Sequence, residues 1–359
     1  MNTALPRTLG KFFDTSGMTW RVLDMGRRVV QIPALDFARF EATERPYPFP
    51  FRRHAWCGLV FRPRRMQHDP LLWFLKFPLD EQGFLVQASR DYVLRRIFEA
   101  FGARLAQGPQ GVGEDARGDG MNVMKDNPFA FQPDETRLAV FHAKASRLLG
   151  LATSAHHAPA ARYFNAEAPI NDWEGLGLQG IADFAIRVAT ATDRAAMVSR
   201  LRSLPGQPFV ALCTCLENVS PPGDVVRAIV SRAQSAIATG EPASVVAAGI
   251  RGISAARSVA TARRFVHEVL VSPYGADIEV QAAVAGRAWE LLEDDSLQAR
   301  YLERLAEVSQ PAFEAIVTDL LFMPGLRETL LRALRDPHRS STLRARFEAL
   351  AESRQPAEQ

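Results

Sequence analysis

Residues 208–219 read PFVALCTCLENV, and residues 242–253, which begin 34 positions later, read PASVVAAGIRGI. Both stretches open on a proline and then place apolar residues at the spacing of an amphipathic helix. Leu216 and Val219 in the first stretch are in phase with Ile250 and Ile253 in the second. A proline is tolerated at the start of a helix, where its missing N–H would have no partner. The two stretches therefore predict equivalent helices of a repeated unit.

The same phase extends over five units in the C-terminal half of the chain. One ladder of small or apolar residues consists of Ile181, Leu216, Ile250, Ala285 and Leu320, and a second ladder, three residues later, consists of Phe184, Val219, Ile253, Ala288 and Met323. A period of 34 to 35 residues is typical of stacked helical hairpins, in which each unit buries its apolar face against its neighbours. The sequence predicts an all-α solenoid of HEAT- or tetratricopeptide-like repeats, with antiparallel helix pairs and no strand.

The first 105 residues follow a different pattern. Strand-like segments at residues 19–24 and 27–32 flank Met25-Gly26, and two more lie at residues 54–61 and 71–77. Amphipathic segments before, between and after them give the order α-β-β-α-β-β-α. We therefore expect an α+β domain, a small antiparallel sheet with helices on one face. The last of these helices is expected to bury a stripe made of Val86, Val93, Leu94, Ile97, Phe98 and Phe101.

These patterns divide the chain into four parts. Residues 1–105 form the α+β head domain, and residues 106–133 form a flexible linker because they are rich in glycine and acidic residues and lack apolar periodicity. Residues 134–172 contain connecting helices. Residues 173–359 hold about five repeats, and a final helix with Leu343, Phe347 and Leu350 is expected to cap the open end.

Composition excludes several classes of protein. Of the 359 residues, 47% are hydrophobic and 23% are charged, as in ordinary soluble proteins, and no apolar run is long enough to span a bilayer. Three cysteines do not make a disulfide framework. We therefore expect a cytoplasmic protein with reduced thiols and no membrane contact. The net charge is only +3, but the first 105 residues hold an excess of basic over acidic residues.

Basic residues of the head domain alternate with aromatic ones, an arrangement that suits phosphate contact together with base stacking. The candidate residues for contact with an anion or a partner are Arg27, Arg28, Arg52, Arg53, Arg62, Arg64 and Arg65. A simpler interpretation is a solvated loop at residues 62–69, with Trp56 and Trp73 in the core.

Motifs for catalysis or cofactor binding are weak. Residues 175–180 match the dinucleotide pattern G-x-G-x-x-G, but that pattern requires a preceding strand, and here helices surround it. We interpret these glycines as a site of close helix packing. The seven histidines have no metal-ligand spacing, and no nucleophile motif occurs. The sequence therefore predicts no cofactor, no metal and no catalytic residue.

Five strings carry a resemblance to a known family: DMGRR at residues 24–28, RHAW at 53–56, WFLKFPLDEQG at 73–83, FHAK at 141–144 and GLQGIADF at 177–184. With them the chain resembles, over nearly its full length, a proteobacterial family known as domain of unknown function 3549. The resemblance implies no activity, cofactor or site residue.

Three functions are compatible with this sequence. The leading hypothesis is a non-catalytic adaptor or scaffold that binds a protein partner on its helical repeats. The alternative is an accessory factor that contacts RNA or DNA through the basic head, and salt-dependent nucleic-acid binding would distinguish it. The third is an enzyme with an unrecognised site in the head, which a perturbed carboxylate or histidine in a deep pocket would favour.

Overall fold

The computed structural model describes residues 6–64, 70–105, 123–191 and 193–352. The chain forms two compact units, an N-terminal unit of residues 1–137 and a helical unit of residues 138–359. Within the described residues, no helix combines the length and the apolar character needed to cross a membrane.

The N-terminal unit has the predicted order of elements. These are α1 (Leu9–Thr15), β1 (Met18–Asp24), β2 (Val30–Ile32), α2 (Ala34–Glu41), β3 (His54–Pro63), β4 (Leu71–Pro78) and α3 (Gln87–Leu105). The four strands form one antiparallel sheet in the order β2-β1-β3-β4. The predicted small antiparallel sheet with accompanying helices is therefore confirmed.

One face of the sheet carries an aromatic core against α1. Trp20 of β1 is in register with Phe61 of β3, and Trp73 lies on β4. The ring of Phe13 from α1 lies 5.7 Å from Trp20, 4.7 Å from Phe61 and 5.9 Å from Trp73. Aromatic rings at these separations attract one another beyond the gain from burial alone. This cluster fixes α1 on the sheet, and Phe37 of α2 packs beside it at 6.0 Å from Trp20.

Two predictions for this unit are wrong, the start of β2 and the burial of Val86. Strand β2 begins at Val30 rather than at residue 27, because the Asp24 carboxylate accepts the backbone N–H groups of Arg27 and Arg28 at 3.1 and 3.3 Å and widens the turn. Val86 precedes α3 and is 39% exposed, so it is outside the predicted stripe. Of the rest of that stripe, Phe98 is half-buried and the other residues are buried.

The edge of the sheet at β4 is covered by residues 127–131. The Lys76 N–H donates to the Phe129 carbonyl at 2.8 Å, and the Phe131 N–H donates to the Phe74 carbonyl at 3.1 Å. Leu75 and Ala130 form an antiparallel bridge. The predicted flexible linker, residues 106–133, thus has its last part on the sheet edge, whereas residues 106–122 lie outside the described residues.

The helical unit contains helices as its only regular elements within the described residues. These are α4 (Glu135–Leu148, which begins in the N-terminal unit), α5 (His157–Phe164), α6 (Leu178–Arg187), α7 (Ala195–Leu201), α8 (Gly206–Leu216), α9 (Gly223–Thr239), α10 (Ala243–Ile253), α11 (Val259–Val271), α12 (Ile278–Arg287), α13 (Asp295–Leu305), α14 (Gln310–Leu321), α15 (Arg327–Leu334) and α16 (Ser341–Glu352). Short 3-10 turns follow α6, α11 and α12.

The two predicted ladders lie on every second helix, namely α6, α8, α10, α12 and α14, or within three residues after it. Each of these helices contacts the next one in that series. Nine of the ten ladder residues are buried, and the tenth, Val219, is half-buried. The period read from the sequence therefore corresponds to helices that pack on one another.

Helix α10 occupies a tightly packed position among its neighbours. A Cβ atom added at Gly249 would lie 2.5 Å from the Cβ of Ala233 on α9, and one added at Gly252 would lie 2.8 Å from the Cys213 sulfur on α8. Both distances are shorter than a van der Waals contact, so only glycine permits this approach. Pro242 caps the N-terminus of α10, as its position in the repeat predicts.

Candidate functional site

A two-residue turn places Arg52 and Arg53 at the surface in front of β3. Phe51 and His54 exchange backbone hydrogen bonds of 3.1 Å in both directions. Arg52 and Arg53 between them are exposed, with φ angles of 49° and 59°. Two successive positive φ angles define a turn that normally uses Asn-Gly, because side chains with a Cβ are strained there. We call residues 51–54 the arginine turn.

Guanidinium groups surround the aromatic ring of this turn. The Cζ atoms of Arg27, Arg52 and Arg137 lie 5.8, 5.3 and 5.8 Å from the centre of the Phe51 ring. The Lys76 ammonium lies 5.7 Å from the centre of the neighbouring Trp56 ring. Cations at these distances are attracted by the face of an aromatic ring. Cationic side chains therefore cluster around the aromatic rings at the end of the sheet that carries the arginine turn.

Arg27 has a structural role in this arrangement. The residue is 1% exposed, and its Nε donates to the Pro50 carbonyl at 2.8 Å. Its guanidinium thus holds the chain just before the arginine turn. Arg28 is half-buried, and its backbone N–H donates to Asp24. Of the predicted contact residues at this end, Arg52 and Arg53 are the two that are exposed.

The seven predicted arginines do not form a single patch. Arg52 and Arg53 precede β3, whereas Arg62 lies near its other end and Arg64 directly follows it. A ten-residue strand is roughly 30 Å long. Arg27 and Arg28 follow the end of β1 that pairs with the start of β3, so the sheet brings them to the end of Arg52 and Arg53. Arg65 lies outside the described residues.

Arg64 lines a separate cavity of about 330 Å³ between α1, β1 and α2. Lys11 and Arg21 also line it, and its apolar wall includes Trp20. The Trp20 indole N–H donates to Asp14 at 3.0 Å, and the Arg64 Nε donates to the Met18 carbonyl at 3.2 Å. These polar groups of the cavity wall therefore form hydrogen bonds with neighbouring parts of the same wall.

Two buried carboxyls in the N-terminal unit have perturbed acidity. Burial raises the pKa of Asp24 to about 6 and that of Glu41 to about 7, although hydrogen bonds to each carboxylate partly offset the effect. The Tyr47 hydroxyl donates to Asp24 at 2.8 Å, and the N–H groups of Leu9 and Gly10 donate to Glu41 at 2.6 and 3.0 Å. Glu41 thereby caps the first turn of α1. Neither residue lines the cavity at Arg64, so both carboxyls serve the fold.

The three thiols are buried and remain protonated. Cys57, Cys213 and Cys215 are free and buried, and burial raises the pKa of each thiol. A thiol held in its neutral form is a poor nucleophile and a poor metal ligand. In the part of the chain that the structure describes, no three His, Cys, Asp or Glu side chains are grouped to hold a metal ion.

The glycine pattern at residues 175–180 marks close packing at one position. Gly177 caps the N-terminus of α6. A Cβ atom at Gly180 would lie 2.1 Å from the His156 carbonyl oxygen, so the first turn of α6 packs directly on the backbone before α5. Turns precede the glycines, where a dinucleotide site requires a strand.

In the helical unit, one carboxylate lies between two guanidinium groups. Glu217, at the end of α8, is 4% exposed. Its oxygens accept hydrogen bonds from the Nε of Arg251 on α10 at 2.6 Å and from the Nε of Arg287 on α12 at 2.7 Å. We call these residues the triad. It connects the C-terminal ends of three successive ladder helices. Sequence reasoning missed it, although Glu217 and Arg251 directly follow the ladder residues Leu216 and Ile250.

A cavity of about 460 Å³ lies among α4, α5, α6 and α7. Its wall includes Arg147, Arg187 and Arg194, and its apolar part includes Phe184 and Met197. We call it the arginine cavity. Phe184, Arg187, Arg194 and Met197 lie within residues 184–197, and the position of α4 adds Arg147 from an earlier part of the sequence.

The comparisons with known proteins identify a family. The model of the family described as "Protein of unknown function (DUF3549)" matches residues 6–351. The chain belongs to this family. The match includes the arginine turn, the triad and the arginine cavity. No curated protein and no solved structure matches the chain.

Proposed function

We propose that this member of the DUF3549 family is a non-catalytic adaptor whose helical unit is a solenoid of stacked hairpins that binds a protein partner. The observation that carries the proposal is the succession of contacts from α6 to α8, α10, α12 and α14. Helices stacked in series at a period of 34 to 35 residues give an extended surface, and such surfaces usually bind other macromolecules.

The chemistry of the described residues supports binding rather than catalysis. The Asp24 and Glu41 carboxyls, whose pKa values are raised, accept hydrogen bonds from backbone and side-chain donors of the fold. The three thiols are buried. Free thiols at all three cysteines also fit the reducing cytoplasm, where we place the protein. A scaffold needs only a stable surface with charged and apolar positions, and the helical unit has both.

The test is copurification from the cells that contain the protein. The tagged full chain is crosslinked in the cell and purified, and its partners are identified by mass spectrometry. Two variants are purified in parallel: Ile250→Asp, which disrupts the fully buried centre of the ladder, and Ala282→Asp, which places the same charge on an exposed position of α12. We expect one set of partners to survive Ala282→Asp and to be lost with Ile250→Asp. The proposal fails if no protein exceeds the tag-only control, or if the partners survive Ile250→Asp.

A second candidate function, contact with RNA or DNA through the N-terminal unit, is favoured by the arginine turn. Exposed Arg52 and Arg53 are held at positive φ beside the rings of Phe51 and Trp56. Backbone strain of this kind is concentrated at functional sites, and guanidinium groups next to aromatic rings suit phosphates and bases.

The salt dependence of binding tests this second candidate. Each phosphate contact on duplex DNA contributes a slope of about −0.9 to a plot of log affinity against log salt concentration. Replacing Arg52 and Arg53 by alanine in the full chain is expected to make that slope less steep by the contribution of up to about two phosphate contacts. The matched double variant, Arg62→Ala with Arg64→Ala, alters the other end of β3 and is expected to keep the slope. Equal slopes for the wild type and the first variant, or no binding at low salt, would reject the candidate.

A further inference from the structure

The arginine cavity contains one guanidinium group that has no carboxylate partner among the described residues. Arg187 pairs with Asp183 at 3.1 Å and Arg194 pairs with Asp224 at 3.3 Å. Arg147 instead donates to the Ile186 carbonyl at the end of α6. Its side chain is exposed, and a guanidinium has five N–H donors. Arg147 therefore retains donors for an anionic ligand.

The inner wall of the cavity is apolar. Phe184, Val188 and Met197 line it and are themselves 8%, 2% and 2% exposed. The Phe184 ring stacks on Phe164 at 5.0 Å, which holds it in place. A volume of about 460 Å³ is sufficient for a large apolar side chain together with a short length of backbone.

The rim also contains groups that match a peptide backbone. Asn165 and Thr190 line the cavity with both donor and acceptor atoms, and the exposed carboxylate of Asp193 supplies an acceptor. The three arginines would attract a phosphate group, but its charged oxygens would then face the Asp193 carboxylate. A peptide, in contrast, brings N–H donors to this carboxylate and a single carboxylate of its own to Arg147.

We propose that the arginine cavity binds a segment of the partner protein in which an acidic residue is adjacent to a large apolar residue. The apolar side chain lies against Phe184 and Met197, and the carboxylate pairs with Arg147. This inference rests on the proposed adaptor function, because it assigns one surface of the helical unit to the chemistry of its partner.

The experiment uses a library of random octapeptides displayed on phage and selected on the immobilised full chain. Enriched sequences are expected to contain Asp or Glu next to Leu, Ile, Phe or Met. The peptides enriched most are then labelled and titrated with the wild type and two variants by fluorescence anisotropy. Arg147→Gln removes the unpaired charge, and Arg264→Gln removes an exposed arginine of α11, away from the cavity lining.

We expect Arg147→Gln to weaken peptide binding about tenfold, as for the loss of one charge-assisted hydrogen bond, and Arg264→Gln to leave the affinity unchanged. ATP serves as a phosphate-bearing competitor and is expected not to displace the peptide. The inference is overturned if no peptide is enriched, if the enriched peptides lack acidic residues, if ATP displaces them, or if Arg147→Gln binds like the wild type. Partners that copurify with Arg147→Gln as with the wild type would reject the cavity and leave the adaptor function intact.

Discussion

In the N-terminal unit, the buried carboxyls of Asp24 and Glu41 receive hydrogen bonds from neutral N–H and O–H donors, whereas in the helical unit the buried carboxylate of Glu217 lies between two guanidinium groups. Burial raises the pKa values of the first pair, and the hydrogen bonds, together with the charge of Arg90 near Glu41, offset only part of that effect. A carboxylate between two cations is compensated, but each member then depends on the others. The stability of the first unit should therefore respond to pH, and that of the second to the loss of a partner residue.

The largest effect is expected from a charge without any partner. Ile250→Asp places a carboxylate at a fully buried position of α10, between α8 and α12. The expected cost is on the order of 5 kcal/mol, enough to unfold several helical pairs. Circular dichroism should show loss of helix at room temperature. A folded, wild-type-like Ile250→Asp protein would contradict the packing of these helices.

The matched control for this prediction is Ala282→Asp, which adds the same charge on the exposed side of α12. Aspartate is a weaker helix former than alanine, and the difference costs less than about 1 kcal/mol at an exposed position. This variant should therefore keep its helix content at room temperature and melt only a few degrees below the wild type. Similar unfolding of both variants would mean that the added charge, rather than its burial, disrupts the helical unit.

The pH response of the N-terminal unit is the next largest. Because the folded pKa values of Asp24 and Glu41 are raised from 3.8 to about 6 and from 4.5 to about 7, the folded state holds these protons more tightly than the unfolded state. Their contribution is fully present below about pH 4 and is lost as pH rises through 6 and 7. Each carboxyl accounts for about 3 kcal/mol.

Hydrogen exchange of the α1 amides, corrected for the intrinsic pH dependence of exchange, measures this response. Protection is expected to be lower at pH 8 than at pH 5, and Glu41→Gln should remove the share due to Glu41. Greater protection at pH 8 than at pH 5 would show that the carboxyls are stabilised in their charged forms and that the comparison between the units does not hold.

Removal of the carboxylate from the triad comes third. Glu217→Gln removes the carboxylate that accepts hydrogen bonds from both Arg251 and Arg287, and the expected loss of unfolding free energy is about 3 kcal/mol. The matched variant is Glu268→Gln, because Glu268 is exposed and accepts a hydrogen bond from Gln234 on the helix one period earlier. That change should cost less than about 0.5 kcal/mol. Urea unfolding measures the free energy of unfolding of both variants. Equal losses would mean that the triad stabilises the helical unit no more than an exposed hydrogen bond does.

The sequence predicts those features of the fold that depend on residues close together in the chain. The order of elements in the N-terminal unit and the phase of the ladders follow from local patterns, and both agree with the structure. The triad joins Glu217 to Arg287, 70 residues away, and is not visible without the packing of the helices. The burial of Arg27 and the separation of Arg52 from Arg62 depend on the strand register, which the residue types alone do not specify.

The smallest effect is expected at the arginine turn. Arg52→Asn combined with Arg53→Gly supplies the residues that prefer two positive φ angles, and should stabilise the N-terminal unit by about 1 kcal/mol. Arg52→Ala combined with Arg53→Ala removes the same two charges but keeps a Cβ atom at position 53, and should give no such gain. Thermal unfolding separates the two. If the alanine variant is stabilised equally, charge repulsion rather than backbone strain is the cost of this turn.

The strand-like segment at residues 127–131 has a practical consequence for any shortened form of the protein. By hydrogen bonding to Phe74 and Lys76, it occupies backbone groups on the outer side of β4 that would otherwise be open to a second molecule. Exposed strand edges of this kind recruit other strands and lead to aggregation. A fragment ending at residue 105 would lack this cover and is expected to self-associate, whereas one extended to residue 137 should remain monodisperse in light scattering.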